Sequence, residues 1–233
     1  MTDRELLRLH LEAVWNITLP VPNRAAQAIN MSEGVVPWSL YLASFAGEHR
    51  RQLAIWRPDI EVGERPRLLD KAQAAGPVWD VTLQMRREVV FHYPSSRTLS
   101  RQLPQAKLLA RDLSADDARK VDTFETDSDA YFLDPAHAPC IGVVFNGRLM
   151  SIAHSSRRTA AACELGVNTL LEARRQGFAA AATVMWTAAV HQLGLVPIYS
   201  AFAWNASSLR LATSVGYRPR IDGAYGPIPD SAE

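Results

Sequence analysis

The run from Glu164 to Ala180, ELGVNTLLEARRQGFAA, combines residue types that could bind an anion. Its pattern predicts a strand that leads through a basic turn into a helix opening at Gly177. The first turn of a helix exposes backbone N–H groups and the positive end of the helix dipole, so Arg174 and Arg175 are disfavoured there unless an anion joins them. A glycine lets the backbone approach a ligand closely, which suits a pyrophosphate group. The alternative is a solvent-exposed arginine pair before an alanine-rich core helix.

Three segments in this half of the chain resemble, in the same order, the motifs of the GNAT superfamily of acyl-CoA N-acyltransferases. In that family a strand carries a V-x-T-like segment, a Q/R-x-x-G-x-G/A turn opens a helix, and an N-x-x-S start begins a helix that ends in G-F or G-Y. Here they read Val167-Asn168-Thr169, then Arg174-Arg175-Gln176-Gly177-Phe178-Ala179, then Asn205-Ala206-Ser207-Ser208 closing with Gly216-Tyr217. The resemblance covers residues 107–228 and does not extend over the first hundred.

The resemblance implies an α+β fold with a mixed, mostly antiparallel sheet, in which a splayed parallel strand pair is flanked by helices. A smaller helical or mixed N-terminal region would precede it. It also implies acetyl-CoA as the acyl donor and a primary amine, not identified by the sequence, as the acceptor that attacks the thioester directly. The cofactor-binding residues implied are Val167, Asn168, Thr169, Arg174, Arg175, Gln176, Gly177, Phe178, Ala179, Asn205 and Ser208. Pantetheine would pair with the strand backbone, and the diphosphate would meet the amides of the turn.

Glu164 is the candidate catalytic base, because a strand glutamate near this position has that role in some members of the family. Alternation along the strand places its side chain with those of Gly166 and Asn168, facing away from the expected core. Its spacing to the glycine turn is a residue shorter than in those members. A solvated or hydrogen-bonded strand carboxylate is the alternative. A backbone N–H near Val167 is the oxyanion donor that the resemblance implies.

The proton donor to the departing thiolate is not identified by the sequence. The family often has a tyrosine three or four residues before the closing glycine, and this chain has Ala212 there. Tyr199, Tyr217, Ser214 or ordered water could take the role. A non-catalytic acyl-CoA-binding regulatory or interaction module is therefore the alternative function. A longer acyl group in place of acetyl also remains open, with Trp204 at the acyl cleft.

Neither the histidines nor the cysteines predict a metal site. His154 at a strand end and His191 on a core helix are interpreted as structural residues, and His137 as a loop residue. Cys140 and Cys163 show no CxxC or Cys/His spacing, so no disulfide framework is predicted and a reducing compartment is the simplest interpretation.

Composition narrows the class of partner. A formal charge of +1 and a pI near 7.9 give no global field that would gather nucleic acid or an anionic membrane. No apolar leader or membrane-spanning run is present, so a cytoplasmic location is predicted. The expected partners are acetyl-CoA and an amine, with neither nucleic acid nor membrane. The oligomeric state is unknown, and a homodimer is compatible with the sequence.

The elements that must position these residues follow from local patterns. The N-terminal predictions are a helix over residues 3–16, a helix from about residue 37 toward residue 56, one or two strands within 78–93, and a polar linker over 95–105. The linker divides the chain into residues 1–104, of unknown role, and residues 105–233, the acyl-CoA-binding domain. With 48% hydrophobic residues the chain has room for two such domains.

The C-terminal predictions place the motifs on strands and helices. They are strands at 107–111 and 164–170, a helix at 115–124 capped by Ser114, a hairpin of 140–145 and 148–155 on Asn146-Gly147, a helix at 178–193, a strand at 196–203, a helix from Asn205 to Gly216, and an edge strand at 220–228. The strand, helix and strand within 164–203 are long enough for a crossover, so those two strands should be parallel.

Overall fold

The computed structural model of the protein describes residues 1–21, 25–46, 51–78, 82–93, 95–126 and 128–227. Within these ranges the helices are α1 (Asp3–Trp15), α2 (Arg65–Ala74), α3 (Ser96–Lys107), α4 (Ala118–Phe124), α5 (Asp129–Phe132), α6 (Phe178–Gln192) and α7 (Ala206–Ser214). The strands are β1 (Ala28–Asn30), β2 (Leu40–Phe45), β3 (Gln52–Trp56), β4 (Arg86–His92), β5 (Ala110–Asp112), β6 (Cys140–Phe145), β7 (Arg148–Arg158), β8 (Ala162–Thr169), β9 (Val196–Phe202) and β10 (Arg218–Gly226). None of the helices in these ranges is long and apolar enough to cross a membrane.

The chain divides into two compact units. The first comprises Met1–His92, Ser200–Arg210 and the chain from Arg218 onward, and the second comprises Tyr93–Tyr199 and Leu211–Tyr217. The strand orders are β1-β3-β2-β10-β4 and β9-β8-β7-β6-β5, and most neighbours are antiparallel. The mixed α+β architecture with a parallel strand pair that the sequence predicts is confirmed.

In the first unit, α1 begins and ends where its sequence specifies. The Thr2 hydroxyl accepts a hydrogen bond from the Glu5 amide, and the Glu5 carboxylate accepts one from the Thr2 amide, which completes a capping box. Asn16 follows the helix in a left-handed conformation with φ 52°. One side of the helix, including Leu7 and Leu11, is buried. The predicted helix over residues 3–16 is confirmed.

The helix predicted from about residue 37 toward residue 56 is wrong. The structure has β2 and β3 there, paired antiparallel from Leu40↔Trp56 to Ser44↔Gln52, and residues 47–50 lie outside the described residues. Nearly all of both strands is buried, which a one-sided helical pattern does not anticipate. In the stretch 78–93, β4 provides one strand, and residues 79–81 again lie outside the described part.

The predicted edge strand at the C-terminus is also wrong, because β10 lies between β2 and β4. Tyr225 is paired with Tyr41 on one side and with Arg86 on the other. Gly223 makes this position possible, since a β-carbon there would lie 2.0 Å from the hydroxyl oxygen of Tyr41. A strand from the C-terminal part of the chain therefore completes a sheet whose other strands come from the N-terminal part. Residue 228, the predicted end, lies outside the described residues.

In the second unit, helices cover both faces of the sheet. The Trp186 indole on α6 donates to the Ser155 hydroxyl of β7 at 3.2 Å, whereas the next side chain along the strand, His154, contacts Tyr131 and Phe132 of α5. Successive side chains of a strand point to opposite faces, so α6 and α5 lie on opposite sides of the sheet. The hairpin turn at Asn146, with φ 50° and Gly147 at φ 77°, forms as predicted.

The polar segment over residues 95–105 is a helix and not the predicted linker. Ser95 caps α3 by accepting a hydrogen bond from the Thr98 amide at 3.3 Å. Leu99 and Ala106 are the buried side chains of α3, which packs against α6. A narrow apolar stripe suffices because the other faces of α3 are solvated. The strand predicted at 107–111 consequently starts later, as β5.

The remaining predictions for this region are confirmed. The structure contains the helical segment after Ser114, the strand β8, the helix α6 followed by Gly194 at φ 73°, and the helix α7 followed by Gly216 at φ 94°. The pairing of β8 with β9 is parallel, as the length of the crossover predicts.

Candidate functional site

The parallel pairing of β8 with β9 stops part-way along β8. Its last pair is Glu164↔Ile198, whereas β8 continues to Thr169. Residues 165–169 pair with β7 and with no further strand in the described part of the chain. The backbone N–H and C=O groups on the other side of this stretch are therefore available to a ligand. We call residues 165–169 the open edge of β8.

A cavity of about 360 Å³ lies at the end of the open edge. Its lining residues are Phe124, Glu125, Val167, Asn168, Thr169, Leu170 and Arg174. Ligand pockets are commonly in this range of volume. The structure therefore brings the three consecutive strand residues of the predicted site together with the first arginine of the basic turn.

The basic turn joins this cavity to the start of α6. The side chains of Arg174, Arg175 and Gln176 are exposed, and Arg175 and Gly177 have left-handed backbone conformations with φ 62° and 83°. Gly177 is the N-cap residue of α6, so no side chain caps the helix there, and its first turn contains no acidic residue. Two cationic side chains thus stand beside the positive end of a helix dipole. An anion would relieve this arrangement.

Phe178 and Ala179 contribute to this corner through their backbone. The Phe178 side chain is buried and lies 5.8 Å from the Phe145 ring, measured between centroids. This packing fixes the first residue of α6 against the hairpin. The amide groups that follow Gly177 are therefore held on a rigid element, as an anion site requires.

A buried serine that the sequence analysis did not single out anchors the end of β8. The Ser151 hydroxyl donates to the Asn168 carbonyl at 3.0 Å and lies 2.8 Å from the Thr169 hydroxyl. The Asn168 side-chain amide donates to the Glu125 carboxylate at 3.3 Å. These bonds hold the strand where its neighbour has ended. The only sequence signal was a polar residue within an apolar strand.

Glu164 lies at the last paired position, immediately before the open edge. The expectation that its side chain faces away from the core is wrong, because its exposed fraction is only 8%. Ala162, Cys163 and Leu165 around it are buried as well. Both faces of the sheet are covered at this point, so alternation along the strand does not separate a core side from a solvent side. The carboxyl group is nevertheless placed where the open edge begins.

An aromatic cluster that the sequence did not predict lies on the α5 side of β7. The Tyr131 hydroxyl is 3.4 Å from His154 Nε2, and the rings of Tyr131 and His137 have centroids 4.0 Å apart. The Nδ1 atom of His137 hydrogen-bonds the Ser155 carbonyl at 3.0 Å. The three residues are on separate elements, so no spacing in the sequence relates them. His154, interpreted from the sequence as a structural residue, and His137, interpreted as a loop residue, are parts of one cluster.

His154 is the buried member of this aromatic cluster. Burial lowers the pKa of its imidazole to about 4, and the nearby His137 and Arg157 contribute in the same direction. The ring is therefore neutral near pH 7 and can accept a hydrogen bond from the Tyr131 hydroxyl. It lies against Gly166 of the open edge, which has no side chain to displace it.

A model of the GNAT acetyltransferase family matches residues 88–225, which is more than half of the 233-residue chain. The chain belongs to this family. No match was found among the curated proteins. The open edge and the basic turn both lie within the residues that match the GNAT family.

Solved structures of acetyltransferase-like proteins are similar to this chain at low sequence identity. An acetyltransferase from Colwellia psychrerythraea is 12% identical with a TM-score of 0.50, over 74% of this chain and 75% of that one. An acetyltransferase of Novosphingobium aromaticivorans is 23% identical with a TM-score of 0.47, over 60% and 63% of the two chains. A protein of Streptococcus suis is 15% identical with a TM-score of 0.46, over 61% and 62%. This chain thus spans less than two thirds of the last two.

The start of the third GNAT-like motif, Asn205 to Ser208, lies in the first unit and forms an ordinary helix start, whereas the closing Gly216 and Tyr217 belong to the second unit. The Asn205 side-chain oxygen accepts a hydrogen bond from the Ser208 amide at 3.1 Å at the beginning of α7. Trp204 beside it is exposed and stacks on Phe202, with ring centroids 5.6 Å apart. The predicted cofactor residues therefore fall into two groups. The residues from Val167 to Ala179 belong to the second unit, whereas Asn205 and Ser208 belong to the first.

The alternative proton donors differ sharply in exposure. Tyr217 is buried, and its hydroxyl is 2.8 Å from that of Thr187. Tyr199 is buried as well, whereas the exposed Ser214 hydroxyl donates to the Leu211 carbonyl at 2.7 Å. Ala212, at the position where the family often has tyrosine, is fully buried. Burial raises the pKa of Tyr217, which opposes its release of a proton.

Metal chemistry has no candidate ligands in the part of the chain that the structure describes. No group of three or more His, Cys, Asp or Glu side chains there could hold a metal ion. Cys140 and Cys163 are both buried free thiols. Burial raises the pKa of Cys140 to about 12, so this sulfur is not a thiolate near neutral pH.

Proposed function

We propose that this GNAT protein is an acetyl-CoA-dependent N-acetyltransferase that transfers an acetyl group to a primary amine. The observation that carries the proposal is the open edge of β8, which leads into a basic turn at an uncapped helix start. Family membership supports the same conclusion. A ligand with an extended amide-bearing arm and a diphosphate would satisfy both parts of this surface.

The proposed donor site uses backbone groups for the arm and positive charge for the phosphates. The pantetheine amides would hydrogen-bond the strand backbone from Val167 to Thr169, as an added strand does at a sheet edge. The diphosphate would meet the amides of Gln176 to Ala179, with Arg174 and Arg175 supplying charge. Their side chains are exposed and can move onto a ligand without breaking a buried contact.

In the proposed reaction a neutral amine attacks the thioester carbonyl. The C–N bond forms, the C–S bond breaks, the nitrogen loses a proton and the departing CoA thiolate gains one. A backbone N–H near Val167 would stabilise the oxyanion, since this amide belongs to the open edge. We propose Glu164 as the base because its carboxyl group lies where that edge begins. Burial of this carboxylate would keep bulk water away from the site of proton transfer.

A second candidate function is a non-catalytic acyl-CoA-binding module. The buried Ala212 at the usual tyrosine position favours it, together with the engagement of the Tyr217 hydroxyl by Thr187. Such a module would keep the donor site and lack turnover. Binding and turnover therefore have to be measured separately.

The deciding experiment measures both quantities on the full chain. Thermal unfolding with and without acetyl-CoA reports binding, because a ligand that binds only the folded state raises the melting temperature; saturation at 100 times Kd adds about 2.7 kcal/mol. Thiol release from acetyl-CoA over a panel of primary amines reports turnover. Amine-dependent release supports the transferase. Binding without release supports the module, and the absence of both contradicts the donor site.

Two further proposals accompany the function. We propose that residues 105–233 carry the acyl-CoA-binding activity, since the three GNAT-like motifs, from Val167 to Tyr217, lie within them. A cytoplasmic location is proposed because both cysteines are free thiols, as in a reducing compartment. The same panel of amines identifies the acceptor, and a panel of acyl-CoA donors of increasing chain length identifies the acyl group. The mass of the protein in solution gives its oligomeric state.

A further inference from the structure

We propose that the Tyr131 hydroxyl, positioned by His154, hydrogen-bonds the nitrogen of the acceptor amine, so that the acceptor binds on the α5 side of the open edge. This inference rests on the proposed transferase function. It assigns Tyr131 as a residue that touches the substrate and His154 as a positioning residue. It also sets the acceptor class as an unhindered primary amine that can reach a phenol on the protein surface.

The first argument is the unusual restraint of an exposed side chain. The exposed fraction of Tyr131 is 41%, yet its ring contacts Phe132, His137 and His154. Fixing an exposed side chain costs conformational entropy. The ring contacts alone would serve a phenylalanine equally well. The hydroxyl, which ring packing does not require, is the group that the proposal assigns to the acceptor.

The second argument is the buried partner of that hydroxyl. The exposed fraction of His154 is 5%, and its Nδ1 atom is buried without a hydrogen-bond partner in the described residues. An unpaired buried polar atom destabilises the folded state. A structural role for this residue would be met better by an apolar side chain. The imidazole leaves its buried Nδ1 atom unpaired, which is destabilising, and presents its other nitrogen, Nε2, to Tyr131.

The third argument is the position of the cluster relative to the open edge. Gly166 is the second residue of that edge, and the His154 ring lies directly against it. The backbone beside the ring is the stretch proposed to hold the thioester end of the donor. A group on the α5 side of Gly166 is therefore suited to hold the acceptor. The opposite face is filled by α6.

The hydrogen-bond directions fit an amine. A neutral His154 accepts the Tyr131 proton at Nε2, which leaves lone pairs on the phenol oxygen free to accept an N–H from the substrate. The observed separation of 3.4 Å is long, and bonds of this kind commonly shorten when substrate binds. His137 and Arg157 are the other titratable groups that act on His154, and both oppose its protonation.

The test compares four single variants and one double variant of the full chain in the amine-dependent assay. Tyr131→Phe removes only the hydroxyl, His154→Gln keeps a hydrogen-bonding group, and His154→Leu removes it. Thr123→Val is the control, because its exposed hydroxyl on α4 donates only to the Arg119 carbonyl at 2.7 Å. Acetyl-CoA affinity and thermal unfolding are measured for each, so that a loss of donor binding or of folding is recognised.

We expect Tyr131→Phe to lower kcat/KM for the amine about 2- to 10-fold, with acetyl-CoA affinity unchanged, since one hydrogen bond between neutral groups is lost. His154→Leu should show a similar loss, His154→Gln a smaller one, and the double variant Tyr131→Phe/His154→Leu no more than either single loss. If His154→Leu fails to fold, Tyr131→Phe and His154→Gln decide the outcome.

Three results would overturn the inference in distinguishable ways. An active unmodified chain whose Tyr131→Phe variant keeps its amine kcat/KM contradicts the role of Tyr131 alone. An unmodified chain that releases no thiol with any amine contradicts the transferase function, and the inference falls with it. A loss in Thr123→Val as large as in Tyr131→Phe would assign the effect to general disturbance of this face.

Discussion

The imidazole of His154 lies directly against Gly166: a β-carbon built at residue 166 would be 2.3 Å from Cε1 of that ring. Atoms do not approach this closely, so one of the two must change if residue 166 gains a side chain. The pair joins β7 to the open edge of β8 through a side chain and a bare backbone. A movement of the imidazole would therefore displace Gly166, the residue directly before the Val167 backbone that is proposed to bind the donor.

We expect Gly166→Ala to destabilise the protein by about 1–3 kcal/mol, as overpacking of a filled interior does. The double variant Gly166→Ala/His154→Ala should recover part of that loss, because removal of the ring makes room for the new methyl group. Urea unfolding of the two single variants and the double variant measures the coupling. Additive losses would show that the ring and residue 166 do not compete for the same space.

The basic turn should contribute charge to donor binding. Arg174→Ala and Arg175→Gly are each expected to weaken CoA binding by about 1–3 kcal/mol, since each removes a charged hydrogen bond to phosphate. Glycine is chosen at residue 175 because φ is 62° there and glycine tolerates that conformation. Calorimetric titration with CoA measures the affinity. Arg101→Ala, an exposed arginine on α3, is the control and should have no effect.

The contribution of the turn should also weaken with salt. Exposed charges are screened over about 10 Å at 0.1 M ionic strength. The difference in CoA affinity between the unmodified chain and Arg174→Ala should therefore become smaller as the salt concentration rises. Unchanged CoA affinity in both arginine variants would contradict the proposed phosphate site.

Glu164→Gln tests the proposed base. The variant keeps the shape of the side chain and loses its ability to take a proton, so kcat should fall about 10²- to 10⁴-fold with acetyl-CoA affinity retained. The pH dependence of thiol release in the presence of an amine provides the measurement. Glu61→Gln changes an exposed carboxylate and serves as control. A rate that stays at the level of the unmodified chain from about pH 6 to 9 would remove Glu164 from the mechanism.

Asp117 should make the second unit sensitive to acid. Its buried carboxylate accepts hydrogen bonds from Arg111 at 2.7 Å and from Lys120 at 3.0 Å, and the Arg111 guanidinium above all holds the pKa of Asp117 well below its usual range. A lowered pKa means that the folded state favours the ionised form. The stabilisation is therefore present in full above the unfolded-state pKa of about 4 and is lost progressively as pH falls from there through the lowered folded-state pKa.

We expect Asp117→Asn to lower the free energy of unfolding by about 2–3 kcal/mol at pH 7 and by clearly less at pH 2, where the unfolded state is fully protonated and the folded state begins to be. Asp116→Asn changes the exposed neighbour in the same turn and should have a small effect at both values. Urea unfolding at the two pH values provides the comparison. Equal losses for Asp117→Asn at pH 7 and pH 2 would show that ionisation of this carboxyl group is not the source of its stabilisation.

The sequence by itself determined the elements whose signals are local. The capping box of Thr2 and Glu5, the Asn146-Gly147 turn and the glycine after α6 each act within a few residues of the structure they specify. The donor-site motif is local for the same reason, because one strand, one turn and one helix start carry it. These features could be predicted since their physics involves neighbours in the chain.

Tertiary structure decided the features that depend on distant partners. Residues 40–45 are a strand because β10, some 180 residues later in the chain, pairs with them, and residues 96–107 are a helix because Leu99 and Ala106 pack in the second unit. The meeting of Tyr131 with His154 likewise depends on the fold. Burial of both faces at Glu164 also has no local signal, since the strand pattern cannot show what covers it. Contacts of this kind arise from packing between separate segments, which a local pattern does not contain.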